Sequence, residues 1–505
     1  FFKQKTAYEI LTCDWSSDVC SSDLPVEAPV MHIASRQEPW AIDPEFERSV
    51  RLGYIQADLQ LRIRAVSFLQ HFDDQQSKLP SLEDALAPFF NAGLMEFVSL
   101  KKEPVERIVI AIPDMPPLVK LLNFNGLFLE EFPLFHGALI DSFQPPENDD
   151  LQVSERLSIL DLFKAQRLFN LIDVMFCQKL EALEDPVKSK ILRLRSTVIV
   201  TARADLERIL QSVMSLEKAQ ELISLLLLPA TSSAVDSDVY IDLQYRPFVH
   251  VPKTEGDYIA IPPAIVGKSN LVRSIMHASG IKGATSAADD PMQVAVAAAL
   301  REAGFLVQES FEFNINGRRE TDIFCYRDGV LFVIECKNAY HPCSPHELRN
   351  SYDLILKAEE QLDIRSQWLA EPGNQTRLLE ALSWEATVPA RVRTCVVTAN
   401  RAFSGYYCGA HPVRQAHELI NVLVNGDVGL GPGKPRRRFW RAEAFEVVDL
   451  LDYLDGNSVL QMQHAAMTPT IREITLKDRC LEFSQFAMDL ADVGRLAEES
   501  FDAVQ

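Results

Sequence analysis

No run of this 505-residue chain approaches the roughly 18 uncharged apolar residues of a membrane-crossing helix; the densest, Leu222 to Leu228, reads as a helix face. No Gly-x-x-x-x-Gly-Lys loop occurs, which excludes the phosphate cradle most easily read from sequence. Cysteines are few, nine in all, and scattered without the regular spacing of a disulfide framework. A reduced, cytoplasmic setting is the expectation, with no membrane partner. Basic residues are scarce too: 50 Lys+Arg face 71 Asp+Glu, a net charge of −21. That balance excludes capture of nucleic acid by bulk charge, so any such ligand has to be gripped locally. No internal repeat is visible.

The chain opens without methionine. Its first 24 residues resemble translated sequencing-adapter read-through and lack the apolar core of a signal peptide. The natural start is then expected near Met31, and Cys13 and Cys20 leave the cysteine count. The remainder is long enough for two or three domains. Residues 25–235 show helical periodicity broken by proline-rich spacers, with 186–228 reading as an antiparallel helical hairpin through Leu192, Leu194, Val198, Val200, Leu206 and Ile209. Residues 236–283 form a mixed connecting segment of short strands and a helix. Residues 284–430 carry the chemistry discussed next, and 431–505 form a basic linker followed by an acidic tail of amphipathic helices. The helical N-terminal region shows no catalytic constellation and suits docking of a protein partner.

The segment from Gly304 to Lys337 is the richest. It reads as three strands, 305–315, 318–326 and 330–337, joined by Asn316-Gly317 and Asp328-Gly329, dipeptides that accept the positive φ of tight hairpin turns. Asp322 lies on the second strand; Glu335 and Lys337 share one face of the third, with Cys336 on the other. Carboxylates and an ammonium are costly on strands so apolar unless something uses them. Carboxylate oxygens suit Mg²⁺ or Mn²⁺, which also accept phosphate oxygens, and a neighbouring lysine can orient water and stabilise developing charge.

Asp322 followed by Glu335-Cys336-Lys337 resembles the signature of the PD-(D/E)xK nuclease superfamily, with Thr321 in place of the eponymous proline. The flanking pattern fits the family's αβββαβ order: helix 291–303 ending at Gly304, helix 345–369, strand 392–399 and helix 412–424. The resemblance implies an α/β, restriction-endonuclease-like domain over 284–430, preceded by a mainly α-helical N-terminal domain. It implies Asp322, Glu335 and the backbone carbonyl of Cys336 as ligands of Mg²⁺ or Mn²⁺, with Lys337 positioning the nucleophile.

Family members often carry an acid on the first helix where this chain has Gln293; Glu302 sits nine residues on, on the opposite face, so only one of the two can face the site. Gln293 is the expected one, acting through a metal-bound water, with Glu302 solvated. Gln361 falls where many members place a polar residue near the site; an exposed helix glutamine is the other reading. For nucleic-acid contact the candidates are Arg318, Arg319 and Arg401, with Arg436, Arg437, Arg438 and Trp440 in the run from Lys434 to Arg441, where basic residues interleave with aromatics. A solvated linker is the alternative for that run. His341, Cys343, His346, Cys408 and His411 allow a zinc site but equally read as loop residues. The expected activity is endonucleolytic hydrolysis of phosphodiesters, DNA before RNA, in a prokaryotic defence, repair or mobile-element setting. The alternative is a non-catalytic interaction or scaffold protein built on a nuclease-like domain.

Overall fold

A computed structural model describes residues 45–57, 80–103, 105–141, 143, 151–228, 243, 245–252, 256–279, 290–314, 318–342, 345–429, 435–476 and 479–503. The chain is mixed α/β and divides into two compact units. One spans residues 69–291; the other joins residues 1–68 to 292–505, so the first unit is inserted in the sequence of the second. No helix among the described residues is long and apolar enough to cross a membrane.

In the inserted unit a helix, Leu82–Asn91, precedes a hairpin of β1 (Val98–Lys101) against β2 (Arg107–Ile110). Its central helix, α1 (Ile159–Glu181), starts at a capping box in which the Ser158 side chain and the Asp161 carboxylate each satisfy the other's backbone N–H. Buried residues on this helix point in every direction, as expected of an element surrounded by protein. One of them, Arg167, meets Glu131 at 2.5 Å and donates to the carbonyls of Phe124 and Gly126, so its charge is matched. Helix α2 (Pro186–Ser196) follows, then strand β3 (Ile199–Ala202), which pairs with β5 (Asp257–Ile261), itself paired with β4 (Val249–Pro252). The expected helical hairpin over 186–228 is therefore corrected. A strand and two shorter helices replace its second arm, because the β-branched run Thr197-Val198-Ile199-Val200-Thr201 favours an extended backbone.

The second unit is built on a six-stranded sheet. Helix α3 (Pro291–Glu302) leads into β6 (Leu306–Asn314), β7 (Arg318–Arg327) and β8 (Val330–Lys337). Helix α4 (Pro345–Leu369) then crosses to β9 (Arg391–Thr398), which lies parallel to β8. The short β10 (Tyr407–Cys408) and β11 (His411–Gln415) complete the order β10-β11-β9-β8-β7-β6, and helix α5 (Ala416–Val424) follows. Residues 412–415, expected as the start of a helix, thus extend the sheet. Asp328 and Gly329 both take positive φ, as the hairpin turn requires, whereas Asn316-Gly317 lies outside the described residues. The first six residues of β8 are buried, as befits a central strand, and the core between sheet and α4 is built from Phe324, Leu331, Val333, Ile355, Leu362 and Val396. Beyond α5 the tail holds helices Val447–Leu454, Val459–Ala465 and Leu490–Ser500, but also a hairpin of Met467–Leu476 with Arg479–Met488, where only helices were expected.

Candidate active site

Strands β7 and β8 deliver the expected residues to one place. Ile323 opposite Ile334 is the last paired rung of their ladder, and Asp322 and Glu335 are the next residues along each strand. The Asp322 carboxylate accepts from the Cys336 backbone N–H, Oδ2 to N 2.6 Å. Lys337 donates to Glu335 Oε2 at 3.1 Å and to Gln361 Oε1 at 3.0 Å, which brings the polar residue of α4 into the site. Cys336 is half-buried, not a core residue, because burial falls away over the last two positions of β8.

A further member, Arg365, was not singled out in the sequence. It lies one helical turn after Gln361, fully buried, with Nη2 3.0 Å from Glu335 Oε1. Its Nε donates to Thr321 Oγ1 at 2.6 Å, Nη1 to the Gln361 carbonyl at 2.6 Å, and Nη2 to the Glu320 carbonyl. Because Nη2 is aligned on that carbonyl, Glu335 Oε1 gains charge compensation but has no hydrogen-bond partner among the described residues. The i, i+4 spacing of Gln361 and Arg365 was the only available signal.

Glu335 is 1 % exposed, and burial, followed by the nearby Asp322 charge, pushes its carboxyl up to about 7, against the opposing pull of Arg365 and Lys337. The folded pKa therefore lies above the ordinary value of 4.5. Below that ordinary value the group is neutral in both states and costs nothing. As pH rises the unfolded chain ionises first, and stability is lost until pH passes the folded pKa. At about 1.4 kcal/mol per unit, the metal-free protein is expected to lose about 3 kcal/mol of stability over that window. Urea unfolding in EDTA at a series of pH values checks this, with Glu335→Gln as the variant in which the loss should vanish.

Gln293 acts differently from its expected role. Its Nε2 donates to the Asp322 main-chain carbonyl at 2.8 Å and to Ser310 Oγ at 3.0 Å. The β6–β7 ladder skips the rung between Ser310 and Asp322, where Ser310 takes a φ of 45°. The amide thus fills a break in the sheet and fixes the backbone that carries Asp322. Glu302 is exposed, as the half-turn geometry required. Gln293→Glu would place an oxygen against the Asp322 carbonyl and is expected to cost about 1–3 kcal/mol. An unfolding midpoint equal to the parent's, together with cleavage at lower Mg²⁺, would instead restore the acidic role suggested by the sequence.

The nucleic-acid candidates are mostly engaged elsewhere. Arg318 and Arg319 open β7, but their side chains lie outside the described residues. Arg401 sits near the buried Glu418, whose carboxyl is raised by burial and drawn back by this arginine. Arg436 donates to Asp427 at 2.8 Å, Arg437 lies 3.8 Å from Glu498, and Arg441 pairs with Asp452. Trp440 donates to the Val422 carbonyl at 2.6 Å and lies over Gly426, where an added Cβ would fall 2.0 Å from the ring. Neither an open basic grip nor a loose linker describes the run: Arg436, Arg437 and Arg441 are paired with acids, with Arg438 half-buried among them. Replacing Arg436, Arg437 and Arg438 together by Gln is expected to change the slope of log affinity against log salt by no more than about one unit. A change near three, measured by DNA binding from low to high salt, would return the segment to the substrate path.

The described members of the zinc constellation do not come together. Cys408 donates to Glu359 at 2.8 Å, and His411 lies 3.0 Å from Asp363 and 2.6 Å from Thr394 Oγ1, so both turn toward different partners. Cys343 lies outside the described residues, as does the His346 side chain. Asp322, Glu335 and the Cys336 carbonyl offer oxygen donors, and Glu335 Oε1, though 3.0 Å from Arg365 Nη2, accepts no hydrogen bond among the described residues. Yet no group of three His, Cys, Asp or Glu suited to a metal occurs among the described residues. These donors are oxygens of the kind a divalent ion takes, without a third carboxylate beside them among the described residues. The chain matches no family model, no curated protein and no solved structure.

Proposed function

We propose that this chain is a metal-dependent nuclease that hydrolyses phosphodiester bonds, DNA in preference to RNA, in defence, repair or mobile-element processing. The supporting observation is the convergence of Asp322, Glu335, Lys337 and Gln361 at the ends of two paired strands. Asp322, Glu335 and the Cys336 carbonyl are the residues to hold Mg²⁺ or Mn²⁺, with Arg365 keeping Glu335 in place and Gln293 fixing the Asp322 backbone. A bound cation would supply Lewis acidity and a template for the scissile phosphate. Lys337 has three N–H donors and gives two to Gln361 and Glu335, leaving one for the attacking water or a phosphate oxygen. Its charge also opposes the build-up of negative charge on the phosphate.

The second reading, a non-catalytic scaffold, is favoured by the same Arg365. Two cations, Arg365 and Lys337, already neutralise Glu335, which weakens its attraction for a metal. Incubating the full chain with plasmid, linear, single-stranded and branched DNA in Mg²⁺, Mn²⁺ or EDTA separates the two. Cleavage that requires metal and Lys337 supports the nuclease; intact substrates under every condition leave the scaffold.

A further inference from the structure

The inserted unit contains a cavity of about 480 Å³ that the site described above does not use. Lys101, Arg107, Arg193, Arg195 and Lys268 line it, against a single carboxylate, Asp173. In a chain of net charge −21, a surplus of four positive charges around one cavity is a local inversion of the molecule's balance. Part of it has a structural reason. Lys268 pairs with the buried Asp173 at 2.6 Å, and Arg193 and Arg195 occupy the last turn of α2, where cations suit the helix dipole. The rest does not. Lys101 stands directly opposite Arg107 in the β1–β2 register, an arrangement of like charges that destabilises a hairpin. Arg107 spends one nitrogen on the Glu103 and Val105 carbonyls, and among the described residues no carboxylate pairs with either cation. Burial, then Asp173, raises the Cys177 thiol at the same wall, with Lys268 and Arg193 opposing and Glu181 adding to the rise.

Between the cations the walls are apolar: Ile108, Ile172 and Pro263, with the ring of Phe176. Cationic rim and apolar, partly aromatic wall together call for a ligand with several negative charges and a flat apolar body. The volume falls within the roughly 300–1,000 Å³ of small-molecule sites. We propose that this cavity binds a nucleoside polyphosphate, its phosphates held by the arginine and lysine side chains and its base against Phe176. Planar guanidinium forks match phosphate oxygens bidentately, and the surplus of four positive charges matches the charge of about −4 on a nucleoside triphosphate. No phosphate-binding glycine loop exists in the chain, and the one lining carboxylate is already paired, so the site is one of binding without hydrolysis.

The test is calorimetric titration of the full chain with ATP, inorganic tripolyphosphate and adenosine, in EDTA so that no divalent ion links ATP to the Asp322–Glu335 site. ATP is expected to bind saturably, tripolyphosphate more weakly, and adenosine not measurably. Arg193→Gln with Arg195→Gln, both exposed side chains whose loss spares the core, is expected to lower ATP affinity by roughly tenfold or more. Phe176→Ala should lower ATP affinity while leaving that for tripolyphosphate unchanged. Absence of ATP binding, equal affinity for tripolyphosphate, or an unaltered affinity in the double arginine variant overturns the proposal. Because no arm reads cleavage, the outcome is independent of the nuclease reading.

Discussion

Lys337→Ala is expected to lower DNA cleavage by at least about 10²-fold while the protein stays folded. The ammonium lies at the end of β8, 14 % exposed, and its two hydrogen bonds run to groups with other support. Glu335 keeps Arg365 at 3.0 Å, and Gln361 stays on α4 through its backbone, so packing loses little. On the nuclease reading the scissile phosphate, by contrast, loses a side-chain cation that has an uncommitted N–H beside the carboxylates. Turnover measured on plasmid at saturating Mg²⁺, beside circular dichroism and urea unfolding, separates the two effects. Turnover at the parent's level would remove Lys337 from the chemistry; a collapse of the unfolding midpoint would mean that it is chiefly a structural counter-ion of Glu335.

Arg365→Met should do the reverse and strike the fold, at about 3–5 kcal/mol. The guanidinium is 1 % exposed and serves Thr321, Glu320, Gln361 and Glu335 at once. Methionine fills much of the volume but donates nothing, so two carbonyls and a hydroxyl lose their donor, and a buried carboxylate keeps only Lys337. Urea unfolding at neutral pH reads this directly. The deficit should shrink toward pH 5, where Glu335 is neutral in the folded state. A variant within about 1 kcal/mol of the parent would show that the buried pair is dispensable to the fold.

The sheet around the site was legible because its signals are local. Asp328-Gly329 announces a turn from two adjacent residues, and the apolar run of β8 announces a buried strand. The bounds of α4 follow from Pro345 and an unbroken helical period. What escaped depends on distance or on competing patterns. The partners of Arg437 and Arg441 are Glu498 and Asp452, which nothing in a basic run of sequence reveals. Strand β3 hid because Leu194 and Val198, then Leu206 and Ile209, fall four and three apart as in a helix, and only the β-branched run broke the tie. Gln293 was legible as a residue near Asp322 but not as a substitute rung, since the break at Ser310 is a backbone feature without a sequence signature. Arg365 carried the weakest signal of all, a single charge on the inner face of a helix.

Residues 45–57 form a helix of the sheet-bearing unit, and it sets a condition on how this protein can be made and dissected. Phe46 meets the rings of Tyr352, Phe403 and Tyr406, Tyr54 donates to the Pro342 carbonyl, and Gly53 lies so close to the Arg401 carbonyl that a Cβ would fall 1.9 Å from it. On the ribosome this helix therefore emerges with its socket unbuilt and waits, apolar face uncovered, until all of 69–291 and much of the sheet have been synthesised. A fragment cut to begin near residue 284 would have the opposite defect, an aromatic socket with no helix to fill it. Excision of the sheet-bearing unit should accordingly keep residues 45–57 with the sheet rather than discard them.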